Sequence, residues 1–176
     1  MGFFSRLFGK KETIAVESED ADEQFKLGLA YANQGNHEVA AKWYVKAAEQ
    51  GSVSAQACLG ALYASGVGVR QDTTKAIELL TKAAEQGHMD AQFNLGVIHT
   101  KRREYKRAFE LYLPIAELGH SNAQNMVGEM YFNGDWVNQD FEQAAVWFVK
   151  AAEQGHGLAK EGLQEIRELV KRGLRF

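Results

Sequence analysis

Cysteine is almost missing from this chain of 176 residues: Cys58 stands alone, so no disulfide can form within it, and packing has to hold the fold. A lone cysteine favours a reducing compartment, and the expected location is cytoplasmic. Proline is as scarce, with Pro114 the single example. Charge of one sign is also lacking: 20 basic against 23 acidic residues leave a net charge of −3, which gives no general pull toward nucleic acid. Nor does any phosphate-binding loop, serine elbow or paired-carboxylate motif stand out, so no enzyme chemistry and no cofactor is expected. With 45% hydrophobic and 24% charged residues, the remainder is ordinary soluble material, enough for one elongated core.

What the chain has in abundance is self-similarity. A Leu-Gly or Val-Gly pair places Gly28, Gly60, Gly96 and Gly128; an Ala follows at Ala40, Ala76, Ala108 and Ala144; a Gly closes each unit at Gly51, Gly87, Gly119 and Gly155. The closing glycines are 36, 32 and 36 residues apart, and the four-residue difference lies inside the units. A period of this length marks stacked helical hairpins, none of which buries its apolar face alone. The units run 23–54, 55–90, 91–122 and 123–158. Residues 159–176 put Leu163, Ile166, Leu169 and Val170 on one stripe, which suits a helix that caps the stack.

Within each unit the apolar spacing predicts two helices, as in Phe25, Leu27, Gly28 and Tyr31 followed by Ala40, Trp43, Tyr44, Ala47 and Ala48. The closing glycines supply the left-handed residue that ends a helix. Ser54, Asp90 and Asn122 are the expected caps of the helices that follow. Small residues allow close helix approach, and Tyr31, Tyr63 and Tyr131 are expected to fill the neighbouring gaps. Pro114 falls inside a predicted helix, where it costs about 3 kcal/mol and should bend it.

Ala55, Leu59-Gly60, Tyr63, Gly66-Val67-Gly68-Val69, Asp72, Lys75-Ala76, Lys82-Ala83-Ala84 and Gly87 resemble a complete Sel1-like repeat, a relative of the tetratricopeptide repeat. The fourth unit repeats it with Ala123, Val127-Gly128, Tyr131, Gly134, Val137, Asp140, Trp147, Lys150-Ala151-Ala152 and Gly155. The first and third lack the loop insert and look more like tetratricopeptide units. The third departs further, with His99, Pro114 and Ile115 at pattern positions. The resemblance implies an all-α fold, a right-handed α/α superhelix of antiparallel helix hairpins with a C-terminal capping helix. It also implies a binding scaffold, in which the first helix of each hairpin lines a concave groove.

Carried over position by position, that groove comprises Phe25, Leu29 and Asn33, then Ala57 and Ala61, then Phe93, Val97 and Lys101, and finally Asn125, Glu129, Phe132 and Asn133. The expected partner is a protein or peptide held there, with aromatics as anchors and Asn and Lys fixing polar groups. The same positions also suit packing between repeats. Trp136, in a loop where the second unit has Gly68, reads either as a binding anchor or as a ring folded back over its own helices.

Three further features remain. Lys101, Arg102, Arg103, Lys106 and Arg107 crowd one short turn; it reads as solvated helix-end charge, or as a contact for an acidic ligand or nucleic acid, though nucleic acid fits the overall charge poorly. His37, His88, His99, His120 and His156 are loop-polar residues without a second ligand at helical spacing, so no metal site is expected. Finally, Phe3, Phe4, Leu7 and Phe8 share a helical face, flanked by Arg6, Lys10 and Lys11, ahead of the acidic linker 12–22. This reads as a peripheral anchor for an anionic membrane surface on the inner face, with docking into a groove and disorder as the alternatives. Burial of four apolar side chains contributes about 1.5–3 kcal/mol each at most. Ordering costs about 1–2 kcal/mol per residue, so attachment would be reversible.

Overall fold

The computed structural model describes residues 19–173, and among them the chain is helical throughout, without a strand. The helices are α1 (Ala21–Asn33), α2 (His37–Glu49), α3 (Val53–Ser65), α4 (Thr73–Glu85), α5 (Met89–Lys101), α6 (Tyr105–Glu117), α7 (Ser121–Asn133), α8 (Phe141–Glu153) and α9 (Gly157–Lys171). Residues 1–11 and most of the acidic linker lie outside the described residues.

The turns between hairpins are three residues long and all alike. Gly51, Gly87, Gly119 and Gly155 adopt φ of 83–98°. Their N–H groups donate to the carbonyls of Ala48, Ala84, Ala116 and Ala152, while the next residue donates back to Ala47, Ala83, Ile115 and Ala151. That is the Schellman arrangement, which satisfies carbonyls a helix end would otherwise orphan. The next residue also caps the helix that follows. Ser52 Oγ accepts from Ala55 N–H, and His88, His120 and His156 use Nδ1 to accept from Ala91, Ala123 and Ala159. The caps are therefore two residues earlier than Ser54, Asp90 and Asn122. Inside the hairpins the first and third turns keep this short form, with Gly35 and Arg103 at positive φ, whereas the second and fourth open into longer loops that end on the caps Asp72 and Asp140.

Hairpin packing rests on four close approaches. Gly28 faces the ring of Tyr44, Gly60 faces Leu80, Gly96 faces Tyr112 and Gly128 faces Phe148. The side chains that fill the glycine gaps thus come from the second helix of each hairpin. Tyr31, Tyr63 and Tyr131, expected in that role, are half-buried at the margins of the same clusters. Each cluster spans a hairpin junction: Tyr44 and Ala47 meet Ala55 and Leu59, Leu80 and Ala83 meet Ala91 and Leu95, and Tyr112 and Ile115 meet Ala123 and Val127. A buried side chain of this size contributes about 1.5–3 kcal/mol, and here it does so across two repeats at once. Helix α6 continues through Pro114 to Glu117. On α9, Ile166 is buried and Leu163 packs beside it, but Val170 is exposed.

Candidate functional site

The twelve expected groove residues all lie on the first helices of the hairpins, and they fall into two sets. Phe25 packs its ring on Tyr44 at 5.8 Å, Phe93 lies between Tyr112 and His120 at 5.6 and 5.2 Å, and Phe132 meets Phe141 at 5.2 Å. Ala57 and Asn125 are buried. These five take part in packing, the three rings while still half-exposed. Leu29, Asn33, Ala61, Val97, Lys101, Glu129 and Asn133 keep exposed or half-exposed surface.

Three of the second set meet at one place. A trough of about 480 Å³ lies between α3 and α5, with Ala61, Ala64, Val97 and Ile98 as its apolar lining and Ser65, Gln71, Thr73, Asn94, Lys101 and Arg102 as its polar lining. The alanines of α3 leave this room, because side chains one turn apart lie over each other on the same helical face. Sequence reasoning missed Asn94. It stands three residues before Val97 and seven before Lys101, a helical stripe that the spacing itself could have given.

Two part-buried polar pairs lie beside the core. The Thr100 hydroxyl donates to Gly96 C=O at 3.0 Å and lies 3.2 Å from the Tyr112 hydroxyl, and Asn125 Nδ2 donates to Glu129 Oε1 at 2.7 Å. Asn125 Oδ1 is buried with no hydrogen-bond partner among the described residues. Burial pushes the Tyr112 and Tyr44 hydroxyls up to about 12, and it raises the thiol of Cys58, which is half-buried on α3. All three shifts favour the neutral, unreactive form.

The basic turn divides. Lys101 and Arg102 line the trough, whereas Arg103, Lys106 and Arg107 line a second cavity of about 650 Å³ together with Glu104, Tyr105 and Trp136. Lys106 Nζ sits 5.3 Å from the centroid of the Trp136 ring, so the indole reaches α6 of the preceding hairpin and yet stays 56% exposed. Glu104 accepts a hydrogen bond from His99 Nδ1 and pairs with Arg107 at 3.5 Å. The His99 contact holds the Glu104 carboxyl below the usual carboxylate range. Of the other histidines, His88, His120 and His156 are helix caps, a role their loop-polar reading had not included.

Paired helices that share junction residues and stack in sequence define a helical repeat solenoid. Residues 53–88, 90–120 and 121–156 match the Sel1 repeat, and residues 11–55 match a tetratricopeptide repeat. The chain belongs to the Sel1 repeat family. It is similar to a Sel1 repeat protein from Oxalobacter formigenes, with 32% identity and a TM-score of 0.75 over 84% of this chain and 62% of that one. It is also similar to a protective antigen present in uropathogenic Escherichia coli strains, with 35% identity and a TM-score of 0.78 over 90% of this chain and 35% of that one. The chain thus spans less than two thirds of either. A putative Sel1 repeat protein from Klebsiella pneumoniae, at 22% identity and a TM-score of 0.54 over 85% of this chain and 78% of that one, shares the fold alone. A comparison with curated proteins finds no match. No helix among the described residues is long and apolar enough to cross a membrane.

Proposed function

We propose that the chain is a non-catalytic scaffold that seats an extended segment of a partner protein in the trough between α3 and α5. The observation that carries this reading is the lining itself: an apolar floor of Ala61, Ala64, Val97 and Ile98, bordered by amides, hydroxyls and the Lys101 ammonium. An extended peptide has apolar side chains to bury and backbone groups to satisfy, and this arrangement answers both needs. A photo-crosslinking residue placed at Val97, compared with one at the exposed Val149 of α8, tests the site in the native cell. Adducts unique to position 97 that vanish when Ala64→Trp fills the trough are expected. Identical adducts from both positions would place the partner elsewhere.

The second element of the proposal is attachment. The aromatic and basic residues of segment 1–11 support a reversible anchor on an anionic leaflet, where each cation contributes about 1 kcal/mol. Sedimentation with phosphatidylserine vesicles should fall when residues 1–11 are deleted. Unchanged sedimentation would remove the anchor from the proposal.

A further inference from the structure

Among the described residues, Arg103 at φ 59° and Trp136 at φ 72° are the two non-glycine residues in the left-handed region. Their counterparts show what each position asks for. In the first hairpin the corresponding turn holds Gly35 at φ 78°, with the same pair of backbone bonds: Gly35 N–H to Ala32 and Asn36 N–H to Tyr31, against Arg103 N–H to Thr100 and Glu104 N–H to His99. In the second hairpin the corresponding loop holds Gly68 at φ 70°. Glycine adopts this conformation without a steric penalty, and a large side chain does not. The same chain therefore contains the unstrained solution to both turns, and in the third and fourth hairpins it has something else.

Both exceptions line one cavity. Arg103 and Trp136 come from turns of different hairpins, yet they meet with Lys106 and Arg107 around the same hollow of about 650 Å³. Backbone strain held at two independent positions that converge on one place is the pattern of a functional site rather than of a loop drifting freely. The chemistry of the hollow is specific. Arg103 has no ion-pair partner among the described residues, Lys106 reaches Glu110 only at 4.0 Å, and Glu104 already serves His99 and Arg107. Cations are therefore in excess around an indole that is 56% exposed.

We propose that Arg103, Lys106, Arg107 and Trp136 form a second recognition site, separate from the trough, for an acidic protein segment that carries an apolar side chain beside its carboxylates. The guanidinium groups suit carboxylate oxygens, with two donors in one plane, and the indole supplies the apolar contact. The chain as a whole carries a net charge of −3, so these cations are a local excess, which suits a short acidic segment better than a nucleic-acid strand with a charge at every step.

The test uses the glycine that the other hairpins already supply. Trp136→Gly and Arg103→Gly should leave the melting temperature equal or higher, since each restores the residue the backbone prefers. Both should weaken binding of a short fluorescein-labelled peptide of glutamates interspersed with leucines by about tenfold, read by anisotropy at low salt. Lys42→Ala, an exposed cation on α2, should leave that affinity unchanged. Peptide binding that survives both glycine variants, or is lost equally in Lys42→Ala or in Lys101→Ala of the trough, would overturn the proposal. So would a single-stranded oligothymidylate or a phosphatidylserine vesicle that binds more tightly than the peptide through the same residues.

Discussion

Gly96 lies against the ring of Tyr112 so closely that a Cβ on it would stand 2.3 Å from Tyr112 Cε1. The ring is fully buried among Ala108, Ile115, Ala123 and Val127, and so has nowhere to go. Gly96→Ala should therefore cost about 1–3 kcal/mol by overpacking, measured by urea denaturation. Gly157, at the start of α9, is the contrast. A Cβ there meets nothing within 4 Å, and Gly157→Ala should gain about 0.5 kcal/mol from the unfolded state's lost freedom. Equal effects of the two substitutions would refute the packing account.

Alkaline pH should expose the buried tyrosines. Tyr44 and Tyr112 ionise at about 12 in the fold, against an ordinary value of 10.0, and burial is the main cause in both. A folded pKa raised in this way contributes stability that is fully present below the unfolded value and is lost as pH rises toward the folded one. Urea midpoints should hold steady up to pH about 10 and fall between about 10 and 12. Tyr112→Phe should flatten the fall, and an unaltered slope in that variant would exclude Tyr112 as a source.

The third hairpin lacks one rung of a side-chain ladder. Gln50, Gln86 and Gln154 close their helices and donate to Gln24, Gln56 and Gln124 at 2.9, 3.5 and 2.8 Å. At the corresponding place stands Leu118, 75% exposed, while Gln92 waits opposite. Leu118→Gln should add about 0.5–1 kcal/mol, the net gain of one hydrogen bond, and should raise the thermal midpoint. A lower midpoint would show that the ladder does not extend to this hairpin.

The histidine caps differ in what else they hold. His156 caps α9, whereas His120 caps α7, contacts Asp90 at 3.0 Å through Nε2 and stacks on Phe93 at 5.2 Å. His156→Ala should cost about 1 kcal/mol, as for a lost cap. His120→Ala should cost roughly 1 kcal/mol more for its ring and carboxylate contacts. Equal losses in thermal or chemical denaturation would mean that the extra contacts contribute nothing.

Periodicity made the hairpins legible, because Gly28, Gly60, Gly96 and Gly128 recur with their partners at spacings that only stacked helices explain. The caps were less so: serine, aspartate and asparagine carry the usual signal, and an imidazole nitrogen that accepts from a backbone N–H does not announce itself in sequence. Phe25, Phe93 and Phe132 fell on the expected helices, but position on a helix does not say which rings a side chain meets: these three contact Tyr44, Tyr112 and Phe141 while staying half-exposed. Trp136 was conspicuous as the replacement for a glycine. Its meeting with the basic turn was not, since residues 103 and 136 are joined only by how two hairpins stack.

Ser52, His88, His120 and His156 each finish one helix and begin the next. A joint of this kind has no slack: one residue added or removed would swing every later hairpin by a helical step and break the clusters that straddle the joint. The opposite rim tolerates four extra residues in alternate hairpins without disturbing the stack. Changes of length in this chain are thus channelled to a single rim, and it is there that new contacts can accumulate while the spine stays in phase.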